Sequence, residues 1–216
     1  MDEDRDRCCF DDWTVHWSRR VRKGRPAARI TASLVEELER AGIRDRSVLD
    51  VGCGIGDLAI EVVRRGARGA TGLELSRRSV EEARRLAQAR GVADRTSFRV
   101  GDGARDALPP ADVVVLNRVF CCYPDVDALL ENSLAAAGAV YAFTTPPSDG
   151  FLGSVARLTT RLSNIGYRLR KRTYRGFRIF VHDVGHIDAR VRSAGFRPKV
   201  SGRRGLGWHL ALYVRS

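Results

Sequence analysis

The sequence predicts a doubly wound α/β fold: a mostly parallel sheet of seven strands whose C-terminal strand runs antiparallel. Three observations carry that expectation. Short β-branched runs alternate with segments of helical periodicity across residues 47–145. A glycine-rich turn lies between the first of these strands and the helix after it. Near the C-terminus two apolar runs, separated by Arg203-Arg-Gly-Leu-Gly207, read as an antiparallel hairpin that closes the sheet.

The elements follow in order. Residues 1–25 mix charges with Phe10, Trp13, Val15, Trp17 and Val21 and read as an N-terminal flap, helical or irregular. Pro26 can open a helix to about Ala41, with Ile30, Leu34, Val35 and Leu38 at helical spacing and Gly42 as its stop. Ser47–Val51 is a buried strand, followed by the glycine turn and a helix from about Asp57 to Arg65. Ala70–Glu74 is a second strand, and Ser76 caps a helix that ends near Arg90, before Gly91. Thr96–Val100, Ala111–Leu116 and Ala139–Thr144 are further strands, with a helix around Asp125–Ala137 before the last of them. A helix near His186–Ala194 precedes the strands Phe196–Ser201 and Trp208–Val214. The chain reads as one domain, 1–216, with a basic helical lid inserted at 146–184.

Composition narrows the class. The 216 residues are 44% hydrophobic and 30% charged, as in globular chains. No stretch approaches the roughly 18 unbroken apolar residues of a membrane span. The acidic, mixed opening does not resemble a signal peptide, so a cytoplasmic location is expected. The five cysteines, Cys8, Cys9, Cys53, Cys121 and Cys122, show no CxxC spacing and read as reduced thiols. A net charge of +12 invites a nucleic-acid partner, yet of the 38 Lys plus Arg only Lys23, Lys171 and Lys199 are lysine. Such an arginine excess points to coding bias from a GC-rich genome, so charge alone does not decide the partner.

The strongest signal is Val48-Leu-Asp-Val-Gly52-Cys-Gly54-Ile-Gly56-Asp57, between strand and helix. Gly52, Gly54 and Gly56 let the chain turn sharply and expose bare backbone to a ligand. The helix start after them offers unpaired N–H groups to an anion. Asp50 beside the turn suits an ammonium and would repel a pyrophosphate. An adenosylated methionine has that ammonium, together with a carboxylate for the helix end; a nicotinamide cofactor does not. Glu74 ends the second strand, where an acid can accept both ribose hydroxyls. Asp102, in Val100-Gly-Asp-Gly103, follows the third strand and suits an adenine amino group.

On these residues the region 47–145 resembles the class I S-adenosylmethionine-dependent methyltransferases, which have a Rossmann-like fold. The resemblance implies S-adenosyl-L-methionine as cofactor, with Asp50, Gly52, Gly54 and Gly56 in the first motif, Glu74 on the ribose, and Asp102 with Gly103 on the adenine. Asn117, after the fourth strand, should border the methyl group. Amino-methylating relatives often carry an Asn/Asp-Pro-Pro-aromatic motif there, whereas this chain has Asn117-Arg-Val-Phe120. Asn117-Arg-Val-Phe-Cys-Cys-Tyr-Pro-Asp125, Phe177-Arg-Ile-Phe-Val-His182 and Arg204-Gly-Leu-Gly-Trp208 are similar to a bacterial branch near the magnesium-protoporphyrin O-methyltransferases.

The expected activity is methyl transfer to a small-molecule acceptor, anionic or hydrophobic, with O-methylation favoured. Asn117, Tyr123 and His182 are the catalytic candidates. Cys121 and Cys122 read as inert thiols. His182 and His186 are four apart, which on one helix would share a face, but no third ligand accompanies them and no metal is expected. Between Asp149 and Asp183 there is no acid, while Arg157, Arg161, Arg168, Arg170, Lys171, Arg172, Arg175 and Arg178 are basic. Phe151, Leu152, Val155, Leu158, Leu162 and Ile165 add an apolar stripe. Residues 151–178 therefore suit a pocket lid, a peripheral membrane contact or nucleic acid. RNA methylation and a non-catalytic cofactor-binding or membrane-surface module are the alternatives, and no stable protein partner is implied.

Overall fold

Leu34, Val35 and Leu38 are fully buried on one face of a helix, which packs that face into the core. The computed structural model describes residues 10–11, 29–169, 176–205 and 207–216. Helix α1 spans Arg29–Arg40, and the chain turns at Gly42 with a left-handed φ of 83°. The start expected at Pro26 and most of the N-terminal flap lie outside the described residues, as do Cys8, Cys9 and Arg170–Arg175.

The alternating units follow as β1 Ser47–Val51, α2 Asp57–Arg64, β2 Gly69–Glu74, α3 Arg77–Ala89 and β3 Thr96–Val100. Next come β4 Ala111–Asn117, α4 Val126–Ala136 and β5 Ala137–Thr145. The tail holds α5 Gly150–Leu169, α6 Val184–Ser193, β6 Phe196–Arg204 and β7 Trp208–Arg215. Side chains mark the helix starts: Ser76 accepts from the Ser79 amide, Asp125 from Ala128, and Asp183 from Gly185.

The seven strands form one sheet in the order β3-β2-β1-β4-β5-β7-β6. The first five pair in parallel, and β7 is antiparallel to both β5 and β6. The expected hairpin is present, but its second strand is inserted between β5 and its first. Pairing with β5 buries Leu210, Ala211, Leu212 and Tyr213 completely. β6 is left at the edge with alternating burial, as a half-exposed strand requires.

Successive residues of β4 serve two cores. Val113 and Val115 face α1, α2 and α3, whereas Val114 and Leu116 face α4 and α6. The order also creates a switch point. After β3 the chain returns across β2 and β1 to lay β4 on the other side of β1. At such a point the carboxyl ends of two strands part and leave a crevice, where ligands of open α/β sheets bind.

His182 precedes α6, so it and His186 do not sit on one helix. Its Nε2–H donates to the Tyr123 carbonyl at 2.8 Å, while His186 reaches Asp127 at 2.7 Å. Asp183 intervenes as the helix cap, because a short acid before a helical run satisfies the first free amides.

Candidate active site

A cavity of about 470 Å³ opens at the switch point between β1 and β4. One end is lined by the glycine turn and the end of β2, through Gly52, Ile55, Asp57, Glu74 and Leu75. The rest of the lining includes the apolar set Pro146, Tyr167, Phe177, Ile179 and Trp208. Asn117, the last residue of β4, also lines the cavity, with Arg118, Val119, Cys121, Cys122 and Tyr123 on the segment that follows.

The turn is pinned by its neighbour. The Gly52 and Cys53 amides both donate to the Leu73 carbonyl, at 2.8 and 3.0 Å. Gly52 and Gly56 have φ of 71° and 77°, and a Cβ on either would come within 2.6 Å of Val119 or 2.8 Å of Phe98. Only glycine satisfies both demands. Glu74 is held by backbone N–H groups, Gly54 at 2.9 Å on one oxygen and Ser76 at 3.0 Å on the other. A carboxylate offers about four acceptor sites, so Glu74 retains capacity toward the cavity it lines. Burial pushes its pKa up, against the pull of those amides.

Asp50 is the least compensated group in this region. It is 1% exposed, and neither carboxylate oxygen completes a hydrogen bond. Burial pushes its pKa well up, and the negative charges of Asp57 and Glu74 add to that; the Ala59 amide and Arg118 act the other way and are outweighed. An unpartnered buried carboxylate beside a turn of bare backbone suits a cationic group.

Asp102 is directed elsewhere. It accepts the Tyr123 hydroxyl on both oxygens, at 2.8 and 3.0 Å, and the Ala104 amide at 3.0 Å. Its neighbours Gly101 and Gly103 line the cavity in its place. Burial and the Asp102 carboxylate push the Tyr123 pKa up to about 12, so the phenol stays protonated at neutral pH. Asn117 is braced in a similar way: its amide donates to Thr31 at 3.0 Å and its oxygen accepts from Thr144 at 2.8 Å.

Of the residues singled out from sequence, Gly52, Glu74, Gly103, Asn117 and Tyr123 line the cavity. Asp50, Gly54, Gly56 and Asp102 adjoin lining residues in the chain, and His182 is engaged with the Tyr123 main chain. Sequence reasoning assigned no individual site role to Asp57, Arg118, Phe10, Tyr167, Phe177 or Trp208, although Tyr167 and Phe177 lie in the segment expected as a lid. Asp57 had a signal, as the first residue of α2 after the glycine turn. Arg118 had none, since its left-handed φ of 63° shows only in the structure. Cys121 and Cys122 place their sulfurs 3.5 Å apart, and the Cys122 hydrogen bond makes Cys121 the more acidic thiol. Among the described residues no group of three His, Cys, Asp or Glu side chains could hold a metal ion.

Residues 20–198 match the family model of the methyltransferase domain. The chain belongs to this family. It carries a class I S-adenosylmethionine-dependent methyltransferase domain, whose cofactor is S-adenosylmethionine. Over 96% of its length the chain superposes on 97% of magnesium protoporphyrin IX methyltransferase from Synechocystis with bound S-adenosylhomocysteine, with a TM-score of 0.72 and 21% identity. The same enzyme with bound S-adenosylmethionine gives 0.69 at 19% identity, over 96% of this chain and 94% of that one. These likenesses establish the fold. Ribosomal protein L11 methyltransferase from Haemophilus influenzae is 39% identical over 87 residues, which are 40% of this chain and 29% of that protein. This methyltransferase chain therefore matches less than a third of the length of that curated relative.

The cavity's chemistry fits the cofactor. Asp50 lacks a partner, Glu74 has acceptor capacity to spare, and Gly54 has open space where a Cβ would stand. None of the helices among the described residues is long and apolar enough to cross a membrane.

Proposed function

We propose that this methyltransferase transfers a methyl group to a hydrophobic small-molecule acceptor that arrives ionised, most simply at an oxygen. The reading rests on one observation: a single cavity is lined both by acid and glycine residues and by an apolar, aromatic set, with Asn117 at the end of β4 and Arg118 just after it.

In the first end Asp50 would face the ammonium of S-adenosylmethionine, Glu74 the ribose hydroxyls, and Gly101–Gly103 with Leu75 the adenine. Asp102 acts on this surface through Tyr123, by holding its ring in place. Once bound, the cofactor supplies an electrophilic methyl on a sulfonium. The apolar end excludes water and aligns the acceptor, a contribution that can reach ~7–11 kcal/mol. An ionised oxygen acceptor forms its bond to the methyl carbon as the carbon–sulfur bond breaks, with no proton to remove. That requirement matches the lining side chains. The Tyr123 hydroxyl is committed to Asp102 and Asn117 to Thr31 and Thr144, so neither is poised as a base. Tyr167, Phe177 and Ile179, from the segment expected as a lid, cover the acceptor side.

Protein methylation is a second reading, favoured by the local likeness to ribosomal protein L11 methyltransferase. Against it, Asn117-Arg-Val-Phe120 lacks the Asn/Asp-Pro-Pro-aromatic motif of amino-methylating relatives.

Calorimetry with S-adenosylmethionine tests the first end. Glu74→Ala should weaken binding by roughly 1–3 kcal/mol through lost charge-assisted hydrogen bonds. Unchanged affinity would refute the ribose assignment. Incubation with labelled cofactor and a host metabolite extract tests the second, where label in an organic-extractable product is expected and label only in protein would favour the alternative.

A further inference from the structure

Helix α5 packs with its apolar side outward. At ~100° per residue, Phe151, Val155, Leu158, Leu162, Ile165 and Leu169 fall within an arc of about 80°. All six are exposed, Phe151 and Leu169 at 81%. The opposite face grips the protein. Gly153, the helix's buried residue, lies so close to the Ser148 backbone that a Cβ would come to 2.3 Å. Asn164 exchanges two hydrogen bonds of 2.8 Å with the backbone of Ile179, and the Tyr167 ring meets Phe177 at 5.2 Å between centroids.

A continuous exposed stripe of this kind marks an interaction surface. The surrounding charge identifies the partner. Exposed Arg161 and Arg168 border one side of the stripe, and no acid occurs from Gly150 to His182. A helix with a polar gripping face, an apolar outer stripe and flanking cations suits the headgroup layer of an anionic bilayer, where apolar side chains enter the acyl boundary and guanidinium groups meet lipid phosphate.

We infer that α5 is an interfacial anchor that lays this stripe on an anionic lipid surface. Tyr167 of the same helix lines the cavity's apolar end. Docking would bring that end to the bilayer, so that an amphiphilic acceptor enters from lipid. The acceptor route rests on the proposed function; the lipid contact itself does not.

The test is co-sedimentation of the full chain with vesicles of equal parts phosphatidylglycerol and phosphatidylcholine, against vesicles of phosphatidylcholine alone. The wild type should bind the mixed vesicles, release them as salt rises, and bind the neutral ones weakly. Leu158→Asp with Leu162→Asp should lower the partition coefficient by roughly tenfold or more and leave S-adenosylmethionine affinity unchanged. Phe151→Ser with Leu169→Ser, at the helix ends, gives an independent second variant whose folding is checked by its thermal transition. No binding by the wild type, or undiminished binding by both folded variants, would overturn the anchor. So would a wild-type dimer in sedimentation velocity that these substitutions dissociate, since the stripe would then be a self-interface. Vesicle binding in a chain that fails to bind S-adenosylmethionine would sink the proposed function and leave the anchor standing.

Discussion

Helices α1 and α5 carry the same kind of sequence pattern and meet opposite fates. Ile30, Leu34 and Leu38 of α1 recur every four residues and are buried beneath the first core face. Leu158, Leu162 and Ile165 of α5 recur at spacings of four and three and face solvent. Periodicity specifies which side chains share a face. What that face meets depends on which side of the helix can come close to the body, and in α5 glycine at 153 and Asn164 take that role. Asp50 is the mirror image of the exposed stripe, a carboxyl shut inside with neither oxygen completing a hydrogen bond.

Substitutions can break that contrast or sharpen it. The largest effect belongs to α1: Leu34→Ala should cost about 2–5 kcal/mol in denaturant unfolding, by lost burial and a residual cavity. Asp50→Asn comes next, with the opposite sign. A carboxyl whose folded pKa is raised holds its proton more tightly when folded. Wild-type stability should therefore fall as pH rises from the ordinary carboxylate range, near 4, through the raised value. Removing the charge should stabilise the ligand-free chain by about 1 kcal/mol or more at pH 7, flatten the pH profile of its Tm, and weaken S-adenosylmethionine binding. A destabilised Asp50→Asn with unchanged pH dependence would show that Asp50 has a partner in solution. The smallest effect belongs to α5: Leu162→Ala should move stability by no more than about 0.5 kcal/mol. A loss near that of Leu34→Ala would mean the stripe is covered in the native protein.

Much of the fold and half of the site were legible before any coordinates. Gly52, Gly54 and Gly56 follow a strand of buried β-branched residues, and Glu74 ends the next, so strand periodicity alone carried both to one sheet edge. The caps at Ser76 and Asp125 are local chemistry; the Ser76 cap formed as read, and Asp125 caps the helix expected to begin near it. Asp102 was placed at the right strand end, yet its carboxylate turned to Tyr123, a partner 21 residues away. Arg118, Tyr167 and Trp208 lie in segments the sequence did single out, but that their side chains and Phe10 line one cavity was not legible, since that depends on contacts between residues far apart in the chain.

By itself, then, the sequence determined the alternation of strands and helices, the glycine turn, and the acids at successive strand ends. These depend on backbone conformation and on periods of two and 3.6 residues, which neighbouring side chains settle. Tertiary structure alone decided that β7 lies between β5 and β6, that Asp50 is sealed without a partner, and that α5 turns its leucines outward. Each of those outcomes depends on competition between surfaces far apart in the chain, where the face that packs most closely wins and the others take what remains.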